Sequence, residues 1–124
     1  MSVPLLVVDA ANVLGSKPDG WWRDRAGATA RLRDGLAGLP TTGLADLPGP
    51  VEVVLVVEGR ARAVPSVEGV RVVPAAGSGD DTIVALVAAE GADRRVAVVT
   101  ADRGLRARVA ALGAEVRGPS SVPR

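Results

Sequence analysis

Three short runs of branched apolar residues constrain this chain more than anything else in it. They are Val3–Val8 (VPLLVV), Val51–Val57 (VEVVLVV) and Arg95–Thr100 (RVAVVT). None alternates cleanly between apolar and polar residues, so each reads as a strand buried on both faces. Strands of that kind belong in a parallel sheet covered by helices. Helical spacing appears between them. Trp22–Leu39 offers Ala26, Ala30, Leu32, Leu36 and Leu39 to one side, Asp80–Glu90 is closed by Gly91, and Gly104–Leu112 is stopped by Gly113. Val70–Pro74 and Ala114–Val116 read as shorter strands. Ala10–Gly20 and Gly59–Gly69 read as loops. Leu39–Pro50, with three prolines and two glycines, reads as a mobile surface connection. Strands alternating with helices predict an α/β fold with a mainly parallel sheet. A length of 124 residues allows one domain, over 1–118, with a loose tail over 119–124.

Missing residue types exclude whole chemistries. The chain has no Cys and no His, which removes disulfides, thiolate nucleophiles, imidazole bases and Cys- or His-ligated metals. It has no Tyr and one lysine, Lys17, so acid–base chemistry falls to carboxylates and to metal-bound water. A net charge of +1 does not mark a polyanion binder, although arginine supplies all the basic residues except Lys17. No apolar run approaches the roughly 20 residues that span a bilayer, and no leader pattern opens the chain. The expectation is a cytoplasmic protein with no membrane partner.

In an open parallel sheet, ligands bind outside the carboxyl ends of the strands. Acids gather there. The first strand ends at Asp9, the second at Glu58 and the fourth at Thr100-Ala101-Asp102, while Asp80-Asp81 opens the helix after the third. From Asp80, positions three, four and seven on are Ile83, Val84 and Val87, so Asp80 shares the buried face and Asp81 lies on its flank. Each acid alone also suits an ordinary cap or turn. Together, carboxylates in one cleft call for a cation, and a donor set of oxygens selects a hard one, Mg²⁺ or Mn²⁺.

These motifs resemble the NYN and YacP-like branch of the PIN-like ribonucleases over roughly residues 5–118. LLVVDAANVLGS is similar to that family's opening strand with Asp9 and Asn12. LVVEGRA is similar to its second strand, with Glu58 where Asp is usual. GSGDDTIVALV resembles its acidic helix start, with Gly77 where Glu is often found. VAVVTADRGLRARVAALGAEVRGPS carries its Thr-x-Asp at Thr100 and Asp102. The resemblance implies a three-layer α/β/α PIN-like, Rossmann-like domain with strand order 3-2-1-4-5. It implies Mg²⁺- or Mn²⁺-dependent hydrolysis of RNA, with Asp9, Asp80 and Asp102 as metal-binding acids, Asp81 and Glu58 beside them, and Asn12 and Thr100 orienting the site.

Arg103 and Arg106 on the last helix, with Arg23 and Arg25 opposite, are candidate RNA phosphate contacts. Trp21 and Trp22 suit either the core or a base-stacking surface. Gly77-Ser78-Gly79 offers backbone N–H groups to a phosphate but lacks the Walker and GxGxxG patterns. The expected partner is RNA, with a homodimer left open. Two alternatives stand beside the metal nuclease: a PIN-like module that binds RNA or protein without turnover, and a phosphohydrolase of small nucleotides.

Overall fold

A computed structural model describes residues 2–123. Five strands form one parallel sheet: β1 (Leu5–Asp9), β4 (Glu52–Val57), β5 (Val70–Pro74), β6 (Val96–Val99) and β7 (Glu115–Arg117), in the order β5-β4-β1-β6-β7. That is the order 3-2-1-4-5 implied by the resemblance, counting only these five. Helices α1 (Ala10–Gly15), α2 (Arg25–Gly35) and α3 (Leu39–Thr42) accompany a two-stranded hairpin, β2 (Gly43–Leu44) with β3 (Leu47–Pro48). Helices α4 (Gly79–Glu90) and α5 (Arg103–Ala111) complete the chain's regular structure.

Pleating sorts the strand residues into two cores. Leu6 and Val8 of β1, with Val53, Leu55 and Val57 of β4 and Ala97 and Val99 of β6, pack with Val13, Leu32 and Leu36. Leu5 and Val7, with Val54, Val56, Val96 and Val98, pack instead with Ile83, Leu86 and Val87 of α4 and Leu105 and Val109 of α5. Successive side chains point to opposite faces, so a strand covered on both sides has no polar position to spare. This is why the runs lack alternation.

Four local expectations are corrected. Ala10–Gly15 is a helix rather than a loop, because Asp9 at its N-cap accepts the Asn12 N–H. The helix expected over Trp22–Leu39 is divided. A 3₁₀ turn covers Trp21–Arg23, Asp24 caps α2 by accepting the Gly27 N–H, and α2 ends at Gly35. The connection Leu39–Pro50 is structured. Its hairpin buries Leu47 completely, and Asp46 pairs with Arg117 on the edge strand β7 at 2.9 Å. The tail is not loose over its described part, since Val122 is buried in the first core after a 3₁₀ turn at Pro119–Ser121. Arg124 lies outside the described residues. Among those residues, no helix is long and apolar enough to cross a membrane.

The hairpin is held by packing more than by charge. Leu47→Ala should lower the unfolding free energy by about 2–5 kcal/mol in urea denaturation, the range for truncating a buried leucine. Asp46→Asn removes a pair whose Asp46 end is in solvent and leaves Arg117 on Glu115, so it should cost less than about 1 kcal/mol. The opposite ranking would show that the ion pair anchors the hairpin.

Candidate functional site

The parallel register sets the site. Val8 pairs with Val99 across β1 and β6, so the next residues, Asp9 and Thr100, stand side by side. Asp9 also pairs with Val56 of β4, two residues before Glu58. By alternation Asp9 continues the side of Leu5 and Val7, Thr100 that of Val96 and Val98, and Glu58 that of Val54 and Val56. These residues all belong to the core under α4 and α5. The amino ends of those two helices bring Asp80 and Asp102 over the same rim.

The result is an open cavity of about 260 Å³ lined by Asp9, Ala11, Asn12, Glu58, Asp80 and Asp102. Asp9 is only 6% exposed. Its Oδ2 accepts the Thr100 hydroxyl at 3.0 Å, and its Oδ1 accepts the Asn12 backbone N–H at 3.4 Å. The Thr100 hydroxyl in turn accepts the Asp102 N–H at 3.1 Å. Asn12 closes the other side, its Oδ1 accepting the Ala101 N–H at 2.8 Å. The β1–α1 junction is thereby tied to the β6–α5 junction through side chains from both motifs. Asp102 caps α5 by accepting the Leu105 N–H at 2.9 Å. Glu58 accepts the Gly79 N–H at the start of α4. A Cβ at Gly79 would meet that Glu58 oxygen, so a larger residue there would make the Glu58 carboxylate shift.

Electrostatics follow from this crowding. Burial pushes the Asp9 carboxyl up to about 6, bonds from Thr100 and Asn12 oppose the rise, and the charges of Asp80 and Glu58 add to it. The Asp80 carboxyl is also raised, first by burial, then by Asp102 and Glu58, with Arg108 opposing. The donors are all oxygen, a set suited to a hard cation. Among the described residues, no three acids stand close enough to make a ready-formed metal site.

Other expected site residues fall elsewhere. Asp81 lies outside the cavity, 77% exposed and paired with Arg108 at 3.0 Å. Arg106 is committed to the backbone, its Nε donating to the Thr100 carbonyl at 2.8 Å. Arg103 is exposed next to Asp102. The Arg23 guanidinium lies 6.0 Å from the centre of the Trp22 ring, and that of Arg25 lies 5.3 Å from the centre of Trp21. The Gly77-Ser78-Gly79 stretch is not a free phosphate cradle, because Glu58 takes the Gly79 N–H and the Ser78 hydroxyl caps Asp81. Sequence reasoning missed Ala11 as a lining residue and the Glu58–Gly79 bond.

Asp9 titrates against stability. Its folded pKa of about 6 exceeds the ordinary 3.8, so the folded state holds the proton more tightly. Asp9's contribution to stability is therefore greatest at acid pH and declines as pH rises from about 4 to 6, by at most about 3 kcal/mol. Asparagine keeps one acceptor oxygen and carries no charge. In chelator at pH 7.5, Asp9→Asn should be more stable than the parent by about 1–2 kcal/mol in urea denaturation. The gain should vanish at pH 4. A variant less stable at both values would contradict the burial argument.

No protein-family model matches the sequence, and no curated protein matches it. Solved structures do. The fold is similar to that of Rae1 (YacP) from Bacillus subtilis, with a TM-score of 0.75 and 18% identity over 98% of this chain and 71% of that one. A tryptophan-to-leucine mutant of the same protein gives a TM-score of 0.71 and 18% identity, over 94% and 70% of the two chains. The chain thus has a YacP-like fold, a PIN-like α/β/α arrangement around a five-stranded parallel sheet.

Proposed function

We propose that this chain hydrolyses phosphodiester bonds of RNA at the Asp9–Asp80–Asp102 cavity, with Mg²⁺ or Mn²⁺ bound there. The observation that carries this reading is a group of carboxylates that no ion pair among the described residues reaches. Burial and neighbouring acids raise the Asp9 and Asp80 carboxyls together. The choice of RNA rests on the motif resemblance to PIN-like ribonucleases, which the YacP-like fold supports.

The residues fit a hard divalent ion that keeps much of its water. Mg²⁺ usually takes one or two carboxylates and completes its shell with water and substrate phosphate, so an open cavity lined by separate acids does not need to form a closed cage. One or two of Asp9, Asp80 and Asp102 would hold it, with the others and Glu58 alongside. When bound, the ion supplies positive charge to the phosphate and lowers the pKa of a water. The chain's own groups orient and accept. Thr100 and the Asn12 N–H fix the two oxygens of Asp9. Asp80, with its raised carboxyl, takes the proton of the attacking water as that oxygen bonds to phosphorus. The P–O ester bond breaks, and the leaving oxygen takes a proton from solvent. Arg103, Arg23 and Arg25 attract the flanking phosphates, which makes RNA binding salt-sensitive.

One observation favours the module that binds without turnover. Position 77 is glycine where the family often has Glu. A Cβ there meets nothing within 4 Å, so nothing in the fold forbids the acid that is missing.

Incubation with single-stranded RNA in Mn²⁺ should give cleavage that chelator abolishes. Asp80→Asn and Asp102→Asn should each slow it by about 10²-fold or more. RNA bound without cleavage or metal uptake would establish the binding module. Turnover of nucleoside triphosphates but not RNA would establish the small-nucleotide enzyme. Gly77→Glu should tighten Mn²⁺ binding about tenfold in calorimetry, because it adds a carboxylate at an open position. Unchanged affinity would place the ion away from α4.

A further inference from the structure

We propose that the cavity beside the acidic one holds the base of an unpaired nucleotide whose backbone phosphate lies among Asp9, Asp80 and Asp102; the inference rests on the nuclease reading above. This second cavity is about 160 Å³, and Trp21, Arg25, Leu14 and Ala61 are among its lining residues. Ala11 and Glu58 line both cavities, so the two adjoin. A backbone held at one places a base within reach of the other.

The aromatic content of the chain points the same way. Trp21 and Trp22 are its only aromatic residues; Trp21 lines this cavity, and Trp22 adjoins Trp21 with ring centroids 6.1 Å apart. Trp21 packs against the first core but keeps part of its surface on the cavity wall. The Arg25 guanidinium lies over its ring. Indole and guanidinium are the two planar groups on which bases stack, and stacking tolerates any base. Charge is complementary as well. Arg25 supplies a cation on the side where the phosphate backbone would leave the acidic cavity. Glu58 adds an acceptor, because Gly79 takes only its Oε2. A carboxylate accepts without donating, so the pocket suits a base that turns an N–H edge toward it.

The protein carries its own probe. Trp22→Phe leaves Trp21 as the sole tryptophan in a chain without tyrosine. The full chain carrying that change is titrated in Mg²⁺, with Asp80→Asn added to suppress cleavage, against single-stranded RNA trinucleotides and against the same backbone lacking bases. Trinucleotides should quench Trp21 fluorescence saturably and bind about tenfold or more tighter than the base-free backbone. Adding Arg25→Ala should remove most of that difference. Arg25→Lys, which keeps the charge without the planar face, should not restore it. Equal binding of the base-free backbone, no quenching, or full rescue by lysine overturns the proposal. Cleavage in Mn²⁺ is scored separately on RNA with and without an abasic residue. Cleavage indifferent to the missing base leaves the nuclease and removes the pocket. Base-dependent quenching without cleavage leaves the pocket and removes the nuclease.

Discussion

The site depends on the register of three adjacent parallel strands. Leu5 pairs with Glu52 and Val96, and Val8 with Leu55 and Val99. Carried past the strand ends, that register puts Asp9 beside Thr100 and brings Glu58 to the same side. A slip of one residue in any pair would turn a whole apolar set to the wrong face. The two valine- and leucine-rich cores therefore guard the chemistry at the rim, although none of their residues touches it. The same packing seats α4 and α5 on the face that Asp9 continues, so their amino ends overhang it.

Capping explains part of the acid cluster but not all of it. Asp9 and Asp102 each accept a backbone N–H at a helix start, as a purely structural reading requires. The start of α4 is different. Ser78 is the cap there, so Asp80 is not needed for that purpose. Asp9 is also an expensive cap. Asparagine or serine would serve α1 nearly as well without a carboxylate held at about 6 by burial and two acidic neighbours. A charge kept where a neutral group would cap as well is one that the fold alone does not explain.

Much of this was readable in the sequence, for a physical reason. Burial on both faces leaves a strand few choices of residue, so VEVVLVV and RVAVVT announce themselves, and the acids that end them locate the rim. Helix α1 was hidden because its cap, Asp9, is also the last residue of a strand and its six residues show little periodicity. The break before α2 was hidden because Asp24 sits inside an otherwise helical pattern. The hairpin was masked by its prolines and glycines, which signal a turn but say nothing of Leu47 and Asp46 reaching partners far along the chain. Such long-range pairings also decided the arginines. Helical spacing placed Arg106 beside Arg103, but it could not show that the Thr100 carbonyl holds its Nε.

Where the arginines go makes the strongest argument about the cavity. The chain has basic residues in plenty, yet many of them serve elsewhere. Arg71 and Arg94 pair with Glu52, with Arg71 also on Glu90, at the amino ends of the strands. Arg95 and Arg117 hold Glu115, pulling its carboxyl down to about 2, and Arg117 also holds Asp46. Arg108 takes Asp81, the one acid of the α4 start that lies outside the cavity. Among the described residues, no ion pair reaches Asp9, Glu58, Asp80 or Asp102. A fold that pairs acids at its far edges and leaves four outside any ion pair around one opening has separated its charges. Separation of that kind raises the energy of the empty cavity, and a cation arriving with its substrate is the simplest counterpart that lowers it.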